Sequence, residues 1–266
     1  MKYCRFHTNG RSVYGLVEGQ EGSQRITRML LKSPHTTEDE VGDLPSRRIE
    51  PLLLNDAHLL PPVEPTKIVC VGRNYREHAA ELGNEVPAEP LLFFKPPSSL
   101  LGTGATVRRP KLSQRVDHEG ELGVIIRKQC YKLEPEDDVR PYILGYTCVN
   151  DVTARDLQNK DGQWTRAKGF DTFCPVGPVI TDEIDPWAGV DVQTRVNDDV
   201  RQNGNTRDFI FPLDLIIRYI SQAMTLCPGD LIATGTPKGV GPLHSGEVVK
   251  VRVEGVGTLS NPVEDE

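Results

Sequence analysis

The stretch Asp117-His118-Glu119-Gly120-Glu121-Leu122-Gly123-Val124-Ile125-Ile126 decides how this chain is read. Its second half is rich in β-branched residues and punctuated by glycine, the composition of a β-strand. Side chains two apart in a strand share a face. Glu119 and Glu121 therefore stand side by side, and Leu122, Val124 and Ile126 take the opposite face. Two adjacent carboxylates repel, so one keeps a proton unless a cation lies between them. A third carboxylate, Asp151, ends the apolar run Tyr142-Ile143-Leu144-Gly145-Tyr146-Thr147-Cys148-Val149. Three carboxylates with no thiolate beside them suit a hard divalent ion, Mg²⁺ or Mn²⁺ before Zn²⁺. The competing reading of Glu-Gly-Glu is a solvated strand edge, since glutamate is rarely buried unpaired.

The 266 residues allow one large domain or two smaller ones. A net charge of −7 argues against a nucleic-acid or anionic-membrane partner, both of which need a basic face. It leaves room for a small anionic substrate, which needs only a local positive site. The six cysteines are scattered and form no Cys-x-x-Cys pair, so neither a zinc site nor a redox motif is expected. The first ten residues have no apolar run, and no stretch approaches the length of a membrane span. The expected location is a reducing cytoplasm with free thiols.

Outward from the acidic stretch, residues 1–62 read as a small β-rich unit. Short strands are expected at Arg11–Glu18 and Gln24–Leu30, with a loosely ordered polar segment from Ser33 to Arg48. Pro61, Pro62 and Pro65 make a stiff connection, and a boundary is placed there, with residues 63–266 as the main domain. A buried strand at 67–72 leads into a helix over 73–83, with Asn74 as N-cap, Glu77 completing a capping box and Gly83 as the stop. His78 and Glu81 lie three apart on that helix, and a carboxylate beside an imidazole raises its basicity and orients it as a general base. Exposed pairs of this kind are also common without any role. A second short helix after Asp151 puts Arg155 and Gln158 on one side, over whatever Asp151 ligates. Lys168, between aromatic residues, is either partly desolvated or a surface lysine. A longer helix over 212–224 has Leu213, Ile216, Ile217, Ile220 and Met224 at helical spacing, the pattern of core packing. The period-two runs 190–196 and 248–253 read as half-buried antiparallel strands. The turn Gly235-Thr236-Pro237-Lys238-Gly239-Val240-Gly241 offers backbone N–H groups and a hydroxyl that can hold a carboxylate. It lacks the Walker ending.

As a set, Val71-Gly72-Arg73-Asn74-Tyr75 with His78 and Glu81, Glu119-Gly120-Glu121-Leu122, Asn150-Asp151-Val152-Thr153-Ala154-Arg155-Asp156 with Gln158, Lys168-Gly169-Phe170-Asp171 and the 234–241 turn resemble the fumarylacetoacetate hydrolase family. The resemblance covers residues 67–264 in order. It implies an α+β, β-rich fold: a mixed β-roll catalytic domain with few helices behind a small N-terminal β domain, as a homodimer. It implies Mg²⁺ or Mn²⁺ on Glu119, Glu121 and Asp151, with Ca²⁺ as a non-native occupant. His78 and Glu81 would be the acid–base pair, with Lys168 as a further catalytic group. Arg155 and Gln158 would polarise the substrate, Thr236 would hold its carboxylate, and the segment around Tyr75 would shape the pocket. The enzyme that names the family has a fourth carboxylate ligand seven residues before its histidine, where this chain has Val71. The chain is similar to the shorter three-ligand branch, which includes acylpyruvate hydrolases, oxaloacetate decarboxylases and isomerases of 2-hydroxyhepta-2,4-diene-1,7-dioate.

The expected chemistry passes through the enolate of a 2-oxo acid held by the metal and Lys168. Hydrolysis of a carbon–carbon bond in an acylpyruvate is the first expectation. Oxaloacetate decarboxylation and the isomerase reaction are the alternatives. A remoter one is a non-catalytic metal-binding scaffold, which would have no use for His78, Glu81 and Lys168 together.

Overall fold

A computed structural model describes residues 1–36, 39–81, 83 and 85–266. Its largest sheet has twelve strands. Along the main path they run Ser46–Leu53, Arg25–Leu30, Arg11–Glu18, Lys2–Thr8, Cys174–Thr181, Ile143–Asn150, Gly120–Ile126, Leu231–Ala233, Ile68–Gly72 and Leu91–Lys95. Neighbours are antiparallel except Leu231–Ala233 with Ile68–Gly72, so the sheet is mixed. A five-stranded sheet built on Asp191–Val196 and Val248–Val253 covers one side, and a three-stranded one includes Val116–His118. With four short α-helices among the described residues, the fold is α+β and strand-rich.

The alternation holds over Gly120–Ile126, with both faces buried, while Glu119 lies just before that strand, at the break between it and Val116–His118 of the three-stranded sheet. Leu122, Val124 and Ile126 pack with Val192, Val251 and the Leu213–Ala223 helix, while Ile125 packs with Ile68 and Val176 on the other side. Gly120 faces the five-stranded sheet so closely that a Cβ there would lie 2.0 Å from Thr194 Oγ1. The residue between the two glutamates must therefore be glycine. The Leu213–Ala223 helix buries the apolar positions its spacing indicates, with Met224 as its half-buried C-cap.

Two local expectations are corrected, on the polar segment and on the helix after Gly72. The polar segment is more ordered than its composition suggests: residues 41–43 form a 3-10 turn and Ser46–Leu53 is a strand paired with Arg25–Leu30. At the edge of a sheet, one row of partners is enough to hold charged residues in a strand. Thr37 and Glu38 of that segment lie outside the described residues. The N-terminal strands are continuous with the main sheet, because Lys2 pairs with Thr181 and Tyr3 with Ile180. Finally, the helix after Gly72 starts at Arg76, spans Arg76–Glu81 among the described residues, and is not capped by Asn74. The fully buried Asn74 donates Nδ2–H to the carbonyls of Thr234 (2.8 Å) and Phe211 (3.2 Å), and accepts from Phe211 N–H at 2.8 Å. Glu77 turns away to Lys238. Gly83 does act as the stop, at φ +67° and bonded to Ala80 O.

Candidate active site

The strand pair Gly120–Ile126 and Ile143–Asn150 brings the three carboxylates together. Gly120 is opposite Asn150, Asp151 N–H donates to Glu119 O at 2.8 Å, and Glu119 N–H donates to Asn150 Oδ1 at 3.0 Å. Glu119, Glu121 and Asp151 are all buried and offer oxygens within 4.8 Å of one another. They line a cavity of about 340 Å³ with His78, Arg155, Gln158, Lys168 and Thr236. The solvated-edge reading of Glu-Gly-Glu is thereby excluded.

Buried cations answer this negative charge. Lys168, at the end of the Thr165–Lys168 helix, donates to Glu119 Oε2 at 2.8 Å and to Asp151 Oδ2. Its ammonium also lies 4.9 Å from the Phe93 ring centre, a cation–π distance. Of its two sequence readings, the buried one holds. Burial lowers the Lys168 pKa, but Asp151 and Glu119 raise it further, and the net shift is upward. Arg155 opens the Arg155–Asp161 helix, bonds Asp117 through Nε at 3.0 Å, contacts Glu119, and holds Gln158 Oε1 at 2.6 Å. Burial pushes the Glu119 carboxyl up, yet Lys168 and Arg155 together bring it well below the usual range. Glu121 lacks such a partner. Burial, Asp151 and Glu119 push its pKa well above normal against one Gly235 N–H donor at 2.8 Å. Glu121 thus holds a proton until a divalent cation joins the cluster. Three buried carboxylates, one of them short of positive charge, fit a divalent metal, and oxygen donors alone favour a hard one.

His78 is buried, with Nδ1 3.4 Å from Glu81 Oε2. Burial lowers its pKa against the opposing pull of Glu119 and Glu81, so the imidazole is neutral at pH 7. Glu81 favours the tautomer protonated on Nδ1, which leaves Nε2 as the acceptor. Glu81 is itself fixed by Gly239 N–H at 3.0 and 3.1 Å. The glycine-rich turn does hold carboxylates, then, but they are Glu81 and Glu121 of the chain itself.

Two expected substrate residues sit differently. The Thr236 hydroxyl donates to Gly120 O at 2.9 Å and accepts from Gln202 at 2.7 Å, so its proton is already committed. Tyr75 packs edge-on against Phe209 and lines a separate cavity with Gly204 and Pro237. Sequence reasoning missed Lys95, whose fully buried ammonium donates to Asp151 Oδ1 at 2.7 Å and Val152 O at 3.1 Å. Its signal was a lysine closing the apolar run Leu91-Leu92-Phe93-Phe94. It also missed Asp117, which orients Arg155 and Arg115. Nor did it find Gln202, which ties Gly120 N–H and His118 to Thr236 and Pro237 across 34 residues or more.

Comparison with known proteins fits this geometry. Residues 67–264 match the family model described as fumarylacetoacetate (FAA) hydrolase, C-terminal. The chain belongs to the fumarylacetoacetate hydrolase family. Among its relatives, a mitochondrial oxaloacetate decarboxylase of Dictyostelium discoideum is 45% identical, over 72% of this chain and 90% of its own. The oxaloacetate tautomerase YisK of Bacillus subtilis is 41% identical, over 79% of this chain and 69% of its own. The crystal structure of 2-hydroxyhepta-2,4-diene-1,7-dioate isomerase from Mycobacterium marinum superposes with a TM-score of 0.87 at 39% identity, covering 100% of this chain and 99% of that one. Among the described residues, no helix is long and apolar enough to cross a membrane.

Proposed function

We propose that this family member is a divalent-metal-dependent enzyme that moves a proton at the carbon next to the 2-oxo group of a 2-oxo acid. Tautomerisation or decarboxylation of an oxaloacetate-type substrate is the first reading, favoured by what the relatives are named for. The observation that carries the proposal is a buried carboxylate cluster sharing one cavity with a neutral, carboxylate-oriented histidine and a buried lysine. Glu119, Glu121 and Asp151 would hold the cation, Mg²⁺ or Mn²⁺ by donor type. Bound there, it would supply Lewis-acid withdrawal of electron density from the substrate oxygens.

The chain's own groups divide the rest of the work. In tautomerisation His78 Nε2 takes the proton from one end, carbon or enol oxygen, and returns it to the other, with Glu81 keeping the ring oriented while it is charged; in decarboxylation the C–C bond breaks to release CO₂, and the ring passes a proton drawn from solvent to the enolate carbon. Lys168 turns from carboxylate counter-ion to hydrogen-bond donor for the oxygen on which charge develops. Lys95 holds Asp151 in place throughout. Arg155 positions Gln158 and Glu119. Hydrolysis of an acylpyruvate is the second reading. A neutral His78 on a cavity roomy enough for water as well as substrate supports it, because the same Nε2 could take a proton from water.

The family resemblance further supports a homodimer and a main domain of residues 63–266, with residues 1–62 as the small β-rich unit. The test follows enol-to-keto conversion of oxaloacetate by absorbance. Pyruvate release from oxaloacetate and from acetylpyruvate is followed in parallel, with Mg²⁺ and after chelation. Metal-dependent turnover that falls about 10²- to 10⁴-fold in His78→Ala, with metal affinity nearly unchanged, is the expected result. Metal binding with no turnover on any 2-oxo acid would leave the scaffold reading instead.

A further inference from the structure

Arg73 stands out among the charged side chains that line the carboxylate cavity. Arg115 is paired with Asp117, Arg155 with Asp117 and Glu119, and Lys168 with Glu119 and Asp151. Among the described residues, the Arg73 guanidinium has no hydrogen-bond or ion-pair partner, although the residue is half-buried. Its backbone is also unusual, at φ +59°, a left-handed conformation that costs a residue with a Cβ. Neighbours on both sides enforce it. Strand Ile68–Gly72 ends just before it, and Asn74 just after it is fixed by three buried hydrogen bonds. The chain thus maintains a strained backbone that presents an unpaired cation at the wall of the cavity. Backbone strain of this kind clusters at functional sites.

We infer that Arg73 is a specificity residue that receives the distal carboxylate of a 2-oxo dicarboxylic acid. The inference rests on the 2-oxo acid reading above. The carboxylate and oxo oxygens at the reacting end are provided for by the metal cluster, Lys168 and the Arg155–Gln158 pair. Arg73 lies in the Gly72–Asn74 corner, on a different chain segment from all of these, and its charge is not cancelled by the protein. A substrate with a single carboxylate would leave that guanidinium unpaired in a half-buried site. A second carboxylate would gain a charge-assisted, potentially bidentate bond.

The test compares malate with lactate, unreactive 2-hydroxy acids that differ in the distal carboxylate. Binding to the Mg²⁺-loaded protein is measured by calorimetry, and the readout is the malate-to-lactate affinity ratio. The ratio is expected to fall at least about tenfold in Arg73→Gln, with part of it restored in Arg73→Lys. Arg73→Gly removes the guanidinium where φ favours glycine, so it keeps the fold and should show the same fall. An unchanged ratio overturns the assignment. So does an equal weakening of both acids, which would place Arg73 at the proximal carboxylate. The two readings fail separately. Turnover of oxaloacetate with an unchanged ratio sinks the role of Arg73 alone. A collapsed ratio in a protein that turns over no 2-oxo acid sinks the reaction.

Discussion

Replacing Asn74 by alanine discriminates sharply between a local and a tertiary role for this residue. As an N-cap it would be worth about 1 kcal/mol. In the structure its fully buried amide makes three hydrogen bonds to residues 137 and 160 positions away. Truncation removes these bonds, each worth roughly 1 kcal/mol net, and strands the Phe211 N–H, whose desolvation costs about 1–3 kcal/mol more. The expected loss is therefore about 4–6 kcal/mol. Urea unfolding of the metal-free protein, followed through Trp164 and Trp187, measures it, with the midpoint falling at an unchanged slope. Asn74→Asp should be no better at neutral pH, because it turns a carboxylate toward the Thr234 and Phe211 carbonyls. It should recover in part in acid, where the protonated form can donate to one of them. A loss near 1 kcal/mol in Asn74→Ala would refute the reasoning and restore the capping role.

Other perturbations test the charge arrangement. Lys95→Met leaves Asp151 short of a buried partner and should cost about 3–5 kcal/mol, part of which a divalent cation restores, so metal should raise the variant's Tm more than the wild type's. Glu121→Gln keeps an acceptor for Gly235 N–H while removing a carboxyl that already holds its proton. Metal-free stability near neutral pH should rise, because the unfolded chain ionises this carboxyl freely while the fold must keep it protonated, and calorimetry should show much weaker metal binding; a loss of metal-free stability would contradict the protonated state. His35, half-buried against Tyr3 and Tyr14 and bonded to Pro62 O at 3.0 Å, has its pKa lowered by desolvation from 6.5 to about 4. The unfolded chain therefore binds the proton first, so stability is complete above pH 6.5 and is lost as pH falls toward 4, by roughly 3 kcal/mol. His35→Phe should flatten denaturation midpoints across that window, though from a lower baseline, and an equally steep variant would clear His35.

The sequence by itself determined the strand that carries Glu121 with Glu119 just ahead of it, the carboxylate at Asp151, the core helix at 213–223 and the pairing of His78 with Glu81. These features follow from periodicity and short spacings, which are fixed by backbone geometry a few residues long. The family resemblance extended this to the order of motifs along the chain. Only the tertiary structure decided how the charges are balanced. Lys95 lies 56 residues from Asp151, and Gln202 lies 82 from Gly120. No local pattern encodes such partners, because the sheet order, not the chain order, makes them neighbours. The same reason moved Asn74 from a cap to a long-range clasp and put Tyr75 in a different cavity. It also shows why Arg73 matters: a lone arginine in a loop is unremarkable until every other cation around the cavity is seen to have a partner.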